Sequence, residues 1–175
     1  MFGPGPGILS RPRPGSTTRA AAVALAVLSL SAPALTGTAF ADTGNRNGTI
    51  KSGYAPGTCL ANEKLLAAGK VRTAPCNRKQ NQAWLVSGVG EANATIRLGY
   101  AQKLCLTNDP GTGNVRTAPC NGKQNQAWLV TSTGSKNATI RPGYAQGTCL
   151  TYVKKTGRVY TATCRGNTSQ AWLVS

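Results

Sequence analysis

The sequence contains no histidine and only four acidic residues among its 175 amino acids. Without histidine, the usual general base and any Ser-His or Cys-His catalytic pair are excluded. A glycosidase needs two carboxyl groups about 5 to 10 Å apart. Glu63 and Asp109 instead occupy matching positions in two different repeats, so that they point to different sides of the molecule. We therefore expect a protein that is not an enzyme.

Patterns of metal ligands are missing as well. The six cysteines form no close Cys-x-x-Cys pair, and no histidine is available to complete a zinc site. We expect neither a metal site nor a cofactor.

The chain also lacks an apolar run long enough to span a membrane. Arg11, Arg13 and Arg19 precede the apolar stretch at 20–30, and the small-x-small sequence "AFA" occupies 39–41. The apolar run stops at Pro33, short of the roughly 20 residues of a spanning helix. We therefore predict a secretory signal peptide at 1–41, a secreted protein without a membrane span, and a single domain at 42–175.

Negative charge is scarce in the predicted mature chain. Seventeen Lys and Arg oppose four Asp and Glu, which leaves a net charge of +13. Such a charge favours anionic partners, although it also serves to keep a secreted protein soluble.

What the sequence does contain is one unit of about 44 residues written three times. "VRTAPCNRKQNQAWLV" begins at Val71, "VRTAPCNGKQNQAWLV" begins at Val115, and a divergent copy, "VYTATCRGNTSQAWLV", begins at Val159. The repeats span about 47–90, 91–134 and 135–175. Their short runs of Val, Ile, Thr and Leu, broken by Gly, Pro and Asn, predict about four strands per repeat and no helices. An all-β, closed body follows, because closure removes exposed strand edges.

Each repeat holds two cysteines, and the predicted export places them where disulfides persist. Six cysteines allow fifteen pairings in principle. The simplest framework stays within the repeats: Cys59 with Cys76, Cys105 with Cys120, and Cys149 with Cys164.

The order Gly-Thr-Cys-Leu, a valine-led strand into a second cysteine, and Gln-x-Trp resembles the repeat of ricin-type β-trefoil lectins. The resemblance covers nearly all of 48–175. It implies a pseudo-threefold β-trefoil, a six-stranded barrel capped by three hairpins, that binds carbohydrate. It also implies that the tryptophans are core residues and that the glutamines bond backbone groups near them: Trp84, Trp128 and Trp172, with Gln82, Gln126 and Gln170.

A sugar site of this family uses an Asp two residues after the first cysteine, an aromatic residue before the second, and an Asn before Gln-x-Trp. The first of these, here called the Asp position, is occupied by Ala61, Thr107 and Thr151, so the Asp is lost in every repeat. The Asn survives as Asn81 and Asn125, where a structural role in the turn is equally open.

Aromatic residues favour the third repeat as the binding site. Tyr54, Tyr100 and Tyr144 recur at the repeat spacing, which indicates a structural role like that of the tryptophans. Tyr152 and Tyr160 do not recur, and they flank the "VKKTGRV" hairpin, where Arg72 and Arg116 replace Tyr160 in the other repeats. The candidate sugar-binding residues are Tyr160, Tyr152, Thr151, Asn125, Asn81 and Asp109.

The basic residues support a rival class of function. Lys51, Arg97 and Arg141 repeat around the axis, and such a surface would hold an anionic polymer through many salt-sensitive contacts. Nucleic acid is not expected, because unpaired aromatic platforms are scarce. We predict a monomeric glycan-binding or polysaccharide-binding module, with binding of an anionic polymer or a protein partner, as in an adhesin or inhibitor, as the alternative.

Overall fold

The computed structural model describes residues 47–175, so the predicted signal peptide at 1–41 lies outside the described residues. The described residues form twelve short strands and three single turns of 3₁₀ helix, one at the Gln-x-Trp motif of each repeat. The strands are β1 (Ile50–Ser52), β2 (Thr58–Asn62), β3 (Val71–Pro75), β4 (Trp84–Ser87), β5 (Thr95–Leu98), β6 (Ala101–Asn108), β7 (Val115–Pro119), β8 (Trp128–Val130), β9 (Ile140–Pro142), β10 (Thr148–Tyr152), β11 (Val159–Thr163) and β12 (Trp172–Val174).

Six of these strands close into a barrel. β1 pairs with β12, β4 with β5 and β8 with β9, all antiparallel. Three isolated bridges join the pairs into a ring, between Gly48 and Trp84, Ala94 and Trp128, and Ala138 and Trp172. Closure leaves no free edge in the barrel, as the short alternating strands predict.

The other six strands form one hairpin per repeat, β2–β3, β6–β7 and β10–β11, each with five paired residues. We call the three repeats, each with its four strands, lobes 1, 2 and 3. Barrel and hairpins together confirm the predicted β-trefoil.

The tryptophans lie at the centre of the core. Trp84, Trp128 and Trp172 are at most 1% exposed. Each indole Nε1 donates a hydrogen bond of 2.8 to 2.9 Å to the carbonyl of the leucine that follows the first cysteine of its lobe. A buried indole needs such a partner, because an unpaired N–H inside a protein is costly. The repeated Gln-x-Trp motif therefore ties the barrel to the hairpin within each lobe.

The glutamine of this motif closes the turn before β4, β8 and β12. In lobe 1, Gln82 donates from Nε2 to the Pro75 carbonyl at 2.9 Å and accepts from the Asn77 backbone N–H at 2.8 Å. The same two contacts recur at Gln126 and Gln170. Two backbone groups that the hairpin leaves unpaired are satisfied in this way.

Disulfides join Cys59 to Cys76, Cys105 to Cys120 and Cys149 to Cys164, each clipping the two strands of one hairpin. This is the framework expected from the spacing. Within 47–175 no helix has the length and apolar character needed to cross a bilayer.

The hairpins meet around the threefold axis. The backbone N–H of Thr73 donates to the Gly157 carbonyl, that of Thr117 to the Gly69 carbonyl, and that of Thr161 to the Gly113 carbonyl, at 2.7 to 2.8 Å. Gly157 has φ +70°, and a Cβ there would lie 2.5 Å from the Thr73 carbonyl oxygen. The chain requires glycine at this point, since two backbones approach closely in a left-handed conformation.

Candidate functional site

The hairpin of lobe 3 places its two tyrosines on opposite faces. Thr151 pairs with Tyr160, and Tyr152 pairs with Val159. Because successive side chains in a strand alternate between faces, this register turns Tyr152 inward and Tyr160 outward. The two rings therefore cannot form one stacking platform, contrary to the expectation from the sequence.

Tyr152 is a core residue. It is 7% exposed, its ring meets Trp172 edge to face at 5.6 Å between centroids, and its hydroxyl shares a 2.9 Å hydrogen bond with Ser52 Oγ. It occupies the position of two buried asparagines, Asn62 and Asn108, in the other lobes. The expectation that Tyr152 binds sugar is corrected, since neither its face nor its hydroxyl is free.

Thr151, at the Asp position of lobe 3, is also buried, although it lies on the same face of the hairpin as Tyr160. It is 5% exposed, and its Oγ1 donates to the Cys149 carbonyl at 2.8 Å and accepts from Gln170 Nε2 at 3.0 Å. Thr107 makes the same two contacts in lobe 2. The Thr151 hydroxyl is therefore engaged within its own strand and with the glutamine of the Gln-x-Trp turn. The prediction that Thr151 binds sugar is corrected, since its role is structural.

Tyr160 is the aromatic candidate that the structure leaves accessible. It is partly exposed on β11, directly across from the Asp position of lobe 3. The guanidinium carbon of Arg158 lies 5.3 Å from the centroid of its ring, a cation–π distance. In lobes 1 and 2, Arg72 and Arg116 occupy the position across from Ala61 and Thr107.

Asn81 and Asn125 are half-buried in the 3₁₀ turns of lobes 1 and 2. Asn81 Nδ2 donates to the Asn62 carbonyl at 2.8 Å, which fixes the turn against β2. The Oδ1 atoms of both residues are buried without a hydrogen-bond partner in the described structure. The Asn81 amide therefore holds the turn of lobe 1, whereas the Asn125 side chain makes no hydrogen bond within 47–175. Neither residue lies in the lobe of Tyr160.

Asp109 lies apart from the other candidates, between the hairpins and beside Arg116. Both of its carboxylate oxygens accept from Arg116 Nε at 3.1 Å. It lines a cavity of about 520 Å³ where the three hairpins meet, which we call the axial cavity. Its lining comes from all three lobes: Glu63, Lys70, Val71, Arg72, Asp109, Asn114, Val115, Arg116, Thr156, Arg158 and Val159. The expectation that Glu63 and Asp109 point to different sides of the molecule is therefore corrected, because both line this cavity. The six candidates from the sequence thus do not converge on one site.

Three tyrosines that repetition marked as structural are on the surface. Tyr54, Tyr100 and Tyr144 are 59%, 54% and 41% exposed, so the comparison with the buried tryptophans is corrected. Each tyrosine follows a glycine in the turn after the first strand of its lobe. The preceding glycine indicates a turn, and turns lie at the surface, so the sequence did carry a signal for exposure. Tyr54 Oη donates to Asn137 Oδ1 at 2.9 Å, which holds the ring beside a second cavity of about 330 Å³.

Comparison with known proteins agrees with this architecture. The family model for the ricin-type beta-trefoil lectin domain matches residues 46–174. A search of the curated proteins finds no sequence that matches.

Among solved structures, a mosquitocidal holotoxin superposes with a TM-score of 0.65 at 17% identity, over 75% of this chain and 17% of its own. ThreeFoil, a designed threefold symmetric protein, gives 0.62 at 15% identity, over 73% of this chain and 96% of its own. A lectin of Polyporus squamosus, solved with Neu5Aca2-6Galb1-4GlcNAc, gives 0.60 at 25% identity, over 75% of this chain and 49% of its own. This chain therefore spans from about a sixth to nearly all of the proteins whose fold it shares.

Proposed function

Because this chain belongs to the family of ricin-type β-trefoil lectin domains, we propose that it is a secreted, non-catalytic carbohydrate-binding module with one working site. The sugar-bound Polyporus squamosus lectin, at 25% identity, supports binding of a glycan. The scarcity of carboxylates and the absence of histidine support a role without catalysis.

The single site is in lobe 3, at Tyr160. The observation that supports this site is that only lobe 3 places a partly exposed aromatic ring across from the Asp position. An aromatic face matches the C–H face of a pyranose, and the phenol hydroxyl is available for a hydrogen bond at the rim. The Asp is lost in all three lobes, but only lobes 1 and 2 carry arginine in place of the aromatic residue, so we propose that their sugar sites have degenerated.

One site per molecule predicts monovalent binding. A monomer with a single glycan site cannot bridge two cells, so it should not agglutinate them. Tyr160→Ala should abolish binding to a neutral oligosaccharide that the wild-type protein retains on an array, since both the stacking face and the hydroxyl are removed.

Calorimetry of five variants with that oligosaccharide tests the site. Tyr160→Phe keeps the stacking face and should retain part of the affinity, whereas Asn81→Ala and Asn125→Ala should change it little. Tyr100→Ala removes an exposed ring elsewhere and serves as the matched control. Normal binding by Tyr160→Ala, or an equal loss in the Tyr100→Ala control, would contradict the lobe 3 site.

Secretion and domain organisation are part of the same proposal. We propose that 1–41 is removed on export and that 42–175 forms one monomeric extracellular domain. The three disulfides favour an oxidising compartment.

A second candidate function is charge-driven binding of an anionic polymer or a protein partner. The net charge of +13 in 42–175 and the spread of basic residues around the axis favour it. Retention of the protein on neutral and on anionic polysaccharides, measured at low and high salt, separates the two. Diffuse charge attraction is lost with salt, because exposed charges are screened, whereas stacking on Tyr160 is not.

A further inference from the structure

Basic side chains from all three lobes line the axial cavity. Two of the bridges that close the axis juxtapose like charges, Lys70 with Arg116 and Arg72 with Arg158, while the third joins Asn114 to Tyr160. Like charges directly opposite each other destabilise a pair of strands. A sequence that keeps two such pairs at one site bears a local cost, and folds accept such costs mainly where function needs them.

The acids of the cavity compensate only part of this charge. Four cations, Lys70, Arg72, Arg116 and Arg158, face two acids, Glu63 and Asp109. Asp109 is held by Arg116 in the one salt bridge found within 47–175. Arg158 Nη2 donates to the neutral Asn114 Oδ1 at 3.2 Å. In the described part of the chain, the side chains of Lys70 and Arg72 have no hydrogen-bond partner, so donors remain available for a ligand.

The shape of the cavity suits a small ligand with both an anionic and an apolar side. A volume of about 520 Å³ is within the range of sites for small molecules, and Val71, Val115 and Val159 contribute apolar lining beside the cations. Guanidinium groups bind carboxylate or sulfate through paired N–H donors, and lysine adds a point charge.

We propose that the axial cavity binds the oxyanion group, a carboxylate or a sulfate ester, of an acidic sugar residue, with Lys70 and Arg72 of lobe 1 as the principal donors. The cavity lies where the three hairpins meet. Tyr160 is not among its lining residues, although Arg158 of the lining lies 5.3 Å from the Tyr160 ring centroid. The choice of a sugar as carrier of the oxyanion rests on the proposed carbohydrate binding, whereas the anion site itself rests on the cavity alone. One molecule of protein should bind one acidic sugar.

Calorimetry with defined monosaccharides tests the site. The probes are a uronic acid, a sulfated hexose, the neutral hexose, and inorganic sulfate and phosphate, each at low and high salt. The test variant is Lys70→Ala/Arg72→Ala, and the matched control is Lys79→Ala/Lys123→Ala. The control removes the same charge from two exposed residues outside the cavity.

We expect the wild-type protein to bind an acidic sugar with a stoichiometry of one and not its neutral analogue. The Lys70→Ala/Arg72→Ala variant should bind about tenfold more weakly or worse, since hydrogen bonds to charged groups are lost. Its melting temperature without ligand should be unchanged or higher, because two like-charge contacts are relieved. The Lys79→Ala/Lys123→Ala control should bind nearly as the wild type does.

Tyr160→Ala separates this proposal from the lobe 3 site. It should retain the acidic sugar in the axial cavity even if it loses neutral glycans, and failure of the lobe 3 site would leave this result unchanged. An equal loss of affinity in the Lys79→Ala/Lys123→Ala control would overturn the axial site in favour of diffuse charge. Inorganic sulfate or phosphate binding as tightly as the acidic sugars, or tighter binding of a single-stranded oligonucleotide, would overturn the assignment to an acidic sugar.

Discussion

Replacement of Arg78 by glycine should stabilise the protein. Arg78 has φ +59° and is the one non-glycine residue of 47–175 with a positive φ. The matching positions in lobes 2 and 3 are Gly122 at φ +69° and Gly166 at φ +65°. The 16-residue stretches that begin at Val71 and Val115 differ only at Arg78 and Gly122. This one difference therefore falls at a left-handed turn, where a residue with a side chain is strained.

The size of the effect follows from two opposing terms. A left-handed conformation costs a non-glycine residue about 1 to 2 kcal/mol. Glycine gives back about 0.4 to 1 kcal/mol, because it makes the unfolded chain more flexible. The Arg78 side chain is exposed and has no hydrogen bond within the described structure, so its loss costs little. We expect a net gain of about 0.5 to 1 kcal/mol, or about 2 to 4 °C in melting temperature.

Scanning calorimetry without reductant measures this change. The reverse substitution, Gly122→Arg, should destabilise by a similar amount. Lys79→Gly provides the matched control. Lys79 is next to Arg78 and is exposed, but its backbone is extended, with φ −72°. Glycine at this position should therefore cost about 0.4 to 1 kcal/mol without relieving strain. If Arg78→Gly lowered the melting temperature as Lys79→Gly does, the strain argument would be refuted.

Three other predictions concern the core, the axis and export. Trp128→Ala should cost about 3 to 5 kcal/mol, because it empties a fully buried site and leaves the Leu106 carbonyl unpaired; an unfolding midpoint close to that of the wild type would argue against the central role of the indoles. Gly157→Ala should cost about 2 kcal/mol or more in urea unfolding, because the new Cβ meets the Thr73 carbonyl, whereas Gly147→Ala, with open space, should be near neutral; equal effects would contradict the close approach of the hairpins. Mass spectrometry of the secreted protein should show a chain that begins at Asp42 without free thiols, and reduced cysteines would remove the disulfide framework.

The fold was predictable because its determinants are repeated in the sequence. Tryptophan, glutamine and the two cysteines recur in one order, and each makes the same contacts in all three lobes. A repeat that cannot bury its apolar face alone must stack with its copies, so three copies led directly to a closed threefold body.

The site was less predictable because face and register are properties of the hairpin. Tyr152 and Tyr160 flank one loop in the sequence, yet pairing of Tyr152 with Val159 sends the two rings to opposite faces. A shift of one residue in that register would pair Tyr152 with Tyr160 and place both rings on one face. The exposure of Tyr54, Tyr100 and Tyr144 was missed for another reason: repetition shows that a residue has the same role in each lobe, and it does not show whether that role is in the core.

The axial cavity could not be seen in the sequence at all. Lys70, Arg116 and Arg158 belong to three different repeats, and they become neighbours only when the hairpins close around the axis. Their positions within the repeats match only in part, since lobe 2 has Asn114 where lobes 1 and 3 have Lys70 and Arg158. Symmetry of the backbone thus creates a site whose side chains are asymmetric.

Closure of the barrel by β1 and β12 sets the order in which the protein can be completed. The hydroxyl groups of Thr49 and Ser175, 126 residues apart in sequence, lie 2.9 Å from each other beside this seam. Each hairpin and its disulfide can form as soon as its own lobe has been synthesised, since its contacts are local. The seam must wait for the last strand, and contacts of such long range are slow to form. Until β12 is in place the barrel stays open, and the edge of β1 that β12 covers is left accessible to strands other than its own partner.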